Sequence, residues 1–348
     1  MTINEQPNRR FLRDLFAGPF RGHAIIMDHE AAPRDWSQGD VVISERPVKE
    51  WLPAVVQDFE TRLKWHNALG DDAVPYVNIQ TGTEIFAAAF GCPVHMYDDA
   101  PPCALPLVTT ADDAGRLPVP GLDARPLARV FELAELVRGE VGADVPISVP
   151  DIQSPFDIAA LVWRKEDLFA AMYERPGAVK RLVDKCHRLL VDFLFEFRRR
   201  FPNCNLCHCP NAWAPPELGA WLSEDEAGSL STAMFEEFCL PSLVELSERF
   251  GGLFVHCCAA ADHQYDSFRK IPNLRGLNRV FQAPGPRPAI EAFSGRTVLM
   301  VAWTGEQGVC EMLDMALPDT RFLFNMGAQP VDEARSTFER LRARSPRR

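Results

Sequence analysis

Residues 230–258 read LSTAMFEEFCLPSLVELSERFGGLFVHCC. Ser231 precedes a run with helical periodicity and can cap it, because a serine hydroxyl accepts an N–H of the first helical turn. From Gly252 the pattern changes to a short apolar run of strand type, GLFVHC, that ends on polar chemistry. A helix leading into such a strand is part of a repeating βα alternation, and the alternation extends in both directions. Strand-type runs recur in HAIIM from His23, VPYVNI from Val74, VPISV from Val145, NLCHC from Asn205, LRGLNRV from Leu274, TVLMVAW from Thr297 and RFLFNM from Arg321. With GLFVHC they make about eight, the number that closes a (β/α)8 TIM barrel. The expected fold is therefore α/β, with one domain over 1–348. It divides into an N-terminal helical extension over 1–22, a barrel over 23–341 and a frayed tail over 342–348.

The helical stretches carry start and stop signals. Pro176 suits a first helical turn, and Val179, Leu182, Val183, Cys186, Leu190, Phe193, Leu194 and Phe197 follow at helical spacing before Pro202. Thr304 and Gln307 have the spacing of a capping box. The alternation breaks between Cys92 and Pro120, where prolines cluster around Asp98, Asp99 and the turn-rich TTADDAGR; this predicts a long excursion after the second strand. In the tail LRARSPRR nothing apolar lies beyond Leu341 to pin the chain.

Composition narrows the function classes. Of 348 residues 47% are hydrophobic, and 48 acids against 37 bases give a net charge of -11. Such a balance opposes a nucleic-acid binder, which needs a basic field to displace counterions. No uninterrupted apolar run has the length of a membrane span, and MTINEQPNRRFLRDLF lacks a signal-peptide core, so a cytoplasmic location is expected. In that compartment the 10 cysteines read as thiols, either packed or metal-binding.

Chemistry concentrates at the ends of the expected strands, where barrel enzymes place their sites. Alternation sends His256 and Cys258 to one side and Cys257 to the other. A neutral imidazole and a thiolate can both ligate Zn²⁺; the alternative is a buried histidine beside small core residues. Cys209 and His208 end the NLCHC run and can face the same mouth, whereas Cys204 lies at the opposite end. Other polar groups near strand ends are Asp28, His29, Glu30, Gln153, Asp157, Asp225 and Glu306.

Longer segments carry a family resemblance. ISVPDIQSPFDIAALVWRKEDLFAAMYERPGAVKRLVDKC (147–186), the 231–258 segment already quoted, NRRFLRDLFAG and FLFNMGAQP together resemble the uroporphyrinogen decarboxylase superfamily along nearly the whole chain. Its most specific parts here are the Ser154, Pro155, Phe156 turn and the Pro241 segment. The resemblance implies one of two chemistries. For porphyrinogen decarboxylation the family uses an arginine-rich first loop, an aspartate, a tyrosine and a histidine. Here the loop reads DHEAAPRD with only Arg34 nearby, and the matching positions are Gly82, Leu161 and Ala328. An octacarboxylate without arginines leaves its charges unpaired.

The other branch resembles zinc-dependent methyltransferases that move methyl groups between a corrinoid protein and a thiol or other acceptor. His256 and Cys258 match its His-x-Cys pair, while its later cysteine would fall near Gly327 and Ala328. The resemblance thus implies Zn²⁺ held by His256, Cys258 and a replacement donor, Cys209 foremost, with Asp225 and Glu306 as catalytic or further ligating carboxylates. It also implies a small-molecule substrate and a methylcorrinoid supplied by a partner protein; the chain has no Gly-rich phosphate loop and no cobalamin site of its own. A carboxy-lyase and a non-catalytic ligand-binding barrel are the alternatives.

Overall fold

A computed structural model describes residues 7–18, 22–29 and 39–347. Glu30 and Arg34 lie outside these residues. The chain forms β1 (Ala24–Met27), a short antiparallel hairpin of β2 (Val94–His95) and β3 (Cys103–Ala104), β4 (Ala220–Ser223), β5 (Leu253–Cys257), β6 (Leu274–Arg279), β7 (Val298–Thr304) and β8 (Arg321–Met326). One parallel sheet has the order β1-β8-β7-β6-β5-β4. Helices Leu52–Leu69, Arg125–Val141, Pro176–Arg200, Leu240–Phe250, Arg287–Phe293, Glu306–Met315 and Val331–Arg344 alternate with the strands, and the core is continuous from Phe11 to Leu341.

The remaining arc is extended chain joined by single bridges, Val77 to Ile147, Ser148 to Asn205 and Gln153 to Ser223. Proline explains why VPYVNI and VPISV pair so sparsely: Pro75 and Pro146 have no N–H to give a ladder. Pro146 still accepts, its carbonyl taking the Val77 N–H at 2.9 Å. Beyond β1 the circle is completed by carboxylates. The Ile25 N–H donates to Asp72 Oδ2 (2.7 Å) and the Met27 N–H to Asp71 Oδ2 (2.9 Å), while the Asp72 N–H donates to the Ile25 carbonyl (3.2 Å). The barrel expected from the sequence is present.

The fourth unit differs from expectation. NLCHC contributes only the Asn205 bridge, and the strand beside β5 is Ala220–Ser223, which the sequence reading passed over. Its four residues follow a proline-rich stretch and are buried on both faces, so no alternation marks them. Between the helix Leu240–Phe250 and β5 the chain turns at Gly251, at φ 86, where an added Cβ would lie 2.8 Å from the Glu217 carbonyl oxygen. Only glycine fits that left-handed, crowded position.

Two local expectations hold. Ser231 Oγ accepts the Met234 N–H (3.3 Å), and Pro176 opens the helix Pro176–Arg200. Two fail. Gly305 rather than Thr304 is the N-cap of Glu306–Met315, with no side-chain cap, because Gln307 reaches forward to Glu311. The tail is held rather than frayed: the Val331–Arg344 helix runs past Leu341, and Arg342 and Arg347 both pair with fully buried Asp72. Charge does the pinning that an apolar side chain was expected to do. Within the excursion, Thr110 caps the helix Ala111–Arg116, and Val108 bridges to Trp163. Among the described residues no helix is long and apolar enough to cross a membrane.

Candidate metal centre

β4 and β5 run in register, with Ser223 opposite His256, so the chain leaving each strand emerges at the same height. From β4 comes Asp225, opening a short 3₁₀ turn; from β5 come His256, still within the strand, and Cys258 just beyond it. Among the described residues these three form the group whose ligand atoms all lie within 4.8 Å of one another. The Cys258 N–H donates to Asp225 Oδ1 (2.8 Å), and His256 Nε2 lies 3.9 Å from the same oxygen. His256 is buried and Cys258 is exposed. The donors therefore span the boundary between core and mouth.

The imidazole tautomer follows from its partner. His256 Nδ1 lies 2.5 Å from Asn278 Oδ1, at the end of β6, and the Asn278 amide is oriented by Nδ2 donating to the Met300 carbonyl (2.8 Å). A carbonyl oxygen only accepts, so Nδ1 carries the proton. In the neutral ring Nε2 then carries its lone pair on the side of the Asp225 carboxylate. Two electron-rich atoms facing each other at 3.9 Å repel, and a cation bridging them converts the repulsion into binding. Cys258 Sγ completes a nitrogen, oxygen and sulfur donor set, which fits a catalytic zinc site with three protein ligands and one open position.

Burial and the Asp225 carboxylate push the Cys258 thiol up to about 11. Burial, with Asp151, Asp225, Cys258 and Asp28 adding negative charge nearby, pushes the Cys209 thiol up to about 12. Cys257 is fully buried, on the other side of the strand from the mouth as expected. Its carbonyl and that of Ala259 accept from Arg279 Nη1, both at 2.6 Å, which fixes the turn after β5.

Two of the expected donors lie outside the group of three. Cys209 Sγ reaches Asn278 Oδ1 at 3.9 Å but stays outside the group of three. The reason is topological: β4, not the Asn205 segment, is the neighbour of β5, so the residue brought beside His256 and Cys258 is Asp225 at the end of β4. Glu306 also stays outside the group. Its carboxylate is held in a two-bond pair with Arg340 (2.8 and 2.7 Å). His208 is near Asp151, at 3.4 Å, and burial lowers its pKa. Asp28 accepts from the Asn325 amide (3.2 Å) and lies 3.4 Å from that of Asn211. Asn278 and Arg279 were missed by sequence reading, although a polar pair ending the run LRGLNRV was a visible signal.

At the second strand lies Gly82, the position that the resemblance aligns with the decarboxylase aspartate. An added Cβ there would lie 2.2 Å from Glu84 Oε2, and the Gly82 N–H donates to Asp40 Oδ2 (2.9 Å). Glu84 is fully buried, and burial next to Asp40 raises its carboxyl to about 10.

Comparison with known proteins agrees with this architecture. Residues 60–200 match the family described as "Uroporphyrinogen decarboxylase (URO-D)". No curated protein matches the chain in sequence. Among solved structures, a methyltransferase from Methanosarcina mazei is similar with a TM-score of 0.66 at 14% identity, over 96% of this chain and 98% of that one. A B12-independent methionine synthase from a Shewanella species, in complex with selenomethionine, is similar with a TM-score of 0.53 at 10% identity, over 93% of this chain and 99% of that one. The resemblance to the uroporphyrinogen decarboxylase superfamily is thereby borne out: residues 60–200 match that family's model, and the methyltransferase shares the fold of the whole barrel.

Proposed function

We propose that the chain is a zinc-dependent methyltransferase, a single barrel domain whose mouth passes a methyl group between a corrinoid carried by a partner protein and a small thiol or other acceptor. The observation that carries this reading is the convergence of Asp225, His256 and Cys258, with the His256 lone pair turned toward a carboxylate. The two similar structures accord with it, since both are named for methyl-transfer enzymes.

In this reading His256 Nε2, Asp225 and Cys258 hold the ion, and Asn278 keeps the imidazole in the ligating tautomer. A bound Zn²⁺ lowers the pKa of a thiol, so that an attacking anion forms at neutral pH. The protein's own part is to orient. Asn278 fixes His256, the Cys258 N–H fixes Asp225, and Arg279 fixes the backbone from which Cys258 hangs. Exposure of Cys258 leaves one side of the group open to an acceptor entering from the mouth.

The test has two arms. Protein purified without chelator is expected to carry about one zinc per chain. Zinc-loaded protein is expected to demethylate methylcobalamin in the presence of a small thiol. Absence of bound zinc, or release of CO₂ from uroporphyrinogen at an enzymatic rate, would falsify the reading.

A further inference from the structure

One buried carboxylate beside the centre is not among its ligands. Asp157 lies in the first turn of the helix Pro155–Val162 and is 5% exposed. Its N–H donates to Ser154 Oγ (3.0 Å), so its position on the helix is set by the cap. Both carboxylate oxygens leave that helix and cross to the end of β4. Oδ2 accepts the Asp225 N–H (2.7 Å) and Oδ1 accepts the Glu226 N–H (3.1 Å). Those two amides begin the 3₁₀ turn Asp225–Gly228, and such N-terminal amides have no partner within their own turn. The Asp225 side chain on that turn accepts the Cys258 N–H and faces His256 Nε2.

The same two elements are tied again just below. The Ser154 N–H donates to the Ser223 carbonyl (2.7 Å), and the Ser223 N–H to the Ile152 carbonyl (2.8 Å). Asp157 therefore extends a backbone attachment by one more step, out to the residue that offers the carboxylate donor.

We infer that Asp157 is a positioning residue for the metal centre: it holds the Asp225 backbone so that the carboxylate sits within ligating reach of His256 and Cys258. This rests on the metal reading proposed above. It places a determinant of the centre in the 60–200 family segment, whereas the donors themselves all lie outside it.

Titration of metal-free full-length protein with Co²⁺, followed by competition with Zn²⁺, tests it. In the wild type a thiolate-to-cobalt absorption band and tetrahedral ligand-field bands are expected at one equivalent. Asp157→Asn keeps the side chain's shape and one acceptor but puts an amide NH₂ where the second acceptor stood, losing one N–H bond. It should weaken zinc binding by about 10- to 100-fold and alter the ligand-field bands, while the thiolate band from Cys258 remains. Asp157→Glu keeps the carboxylate and both acceptors and should recover affinity to within about tenfold of wild type. It also serves as the working variant if Asp157→Asn does not fold; a Glu variant that folds but binds Zn²⁺ no better than a chain lacking Cys258 then overturns the inference. Unchanged spectrum and affinity in Asp157→Asn overturn it as well. A wild type with no thiolate band overturns the metal reading and this inference together, so the two failures are distinguishable.

Discussion

At the N-terminal end of the barrel, Asp72 is fully buried and its carboxylate meets the guanidinium groups of Arg342 and Arg347, while its Oδ2 also takes the Ile25 N–H. At the C-terminal end, the Asp225 carboxylate accepts the Cys258 N–H and faces His256 Nε2, and among the described residues no lysine or arginine pairs with it. Both carboxylates sit among negative charge, but among the described residues Asp72 is matched by two arginines and Asp225 by none. That difference separates stability from function: a saturated end holds the barrel shut, and an unsaturated end has capacity for a ligand. The closed (β/α)8 architecture permits this division because strand N-termini and C-termini face opposite ways.

The comparison breaks first at the top. Cys258→Ala is expected to empty the zinc site and leave the thermal transition of the metal-free protein unchanged, as elemental analysis and calorimetry will show, because the core does not depend on the metal. Zinc retained at wild-type level in that variant would remove the unsaturated end from the argument. The complementary change is Arg342→Met, which leaves Asp72 buried with a weakened partner set. It should destabilise the fold by about 3 kcal/mol in urea denaturation and spare zinc binding. Loss of zinc in Arg342→Met without loss of stability would show the two ends are not independent.

A pH experiment sharpens the lower end. Burial, reinforced by the Arg342 charge, lowers His23 to about 4, and its Nδ1 accepts the Phe322 N–H (3.1 Å). The folded chain therefore binds a proton less readily than the unfolded chain, whose histidine titrates near 6.5. The stabilisation is complete above pH 6.5 and is lost as pH falls toward 4. Between pH 7 and 5 the loss should be about 2 kcal/mol, and His23→Asn should remove that part of the slope. The smallest effect is expected at Cys257, which shares its neighbours' chemistry but not their direction: Cys257→Ala should cost about 1 kcal/mol of packing and leave zinc content intact.

Legibility of the sequence follows the same division. β1, β5, β6, β7 and β8 could be read because apolar runs at regular spacing survive in any well-packed barrel. β4 could not: four residues buried on both faces, with prolines before them, carry no period. That omission propagated directly into the site, since the residue β4 delivers is Asp225, whereas the segment taken for its strand ends at Cys209. His256 and Cys258 stood out by alternation at a strand end together with the family's His-x-Cys pattern. Asp157 and Asn278 act across strands, through bonds between residues 68 and 22 positions apart, and no local pattern announces such partners. The tail was misjudged for a related reason, because Arg342 and Arg347 find Asp72 at separations of 270 and 275 residues.

The clamp on Asp72 also sets an order of events during folding. The edge of β1 is capped by carboxylates available as soon as the first quarter of the chain exists, but the arginines that neutralise one of them lie in and just beyond the last helix. Contacts at such separation carry the largest loop-closure cost and form late. On the ribosome, the buried acid must wait until residue 347 has left the exit tunnel before its charge is matched. Until then an Asp72 in contact with water is favoured over an Asp72 in the core, which holds the N-terminal strand and its partners open. Barrel closure is thereby tied to synthesis of the segment that carries Arg342 and Arg347, and a chain stalled short of Arg342 should be captured by proteases and chaperones as an open sheet.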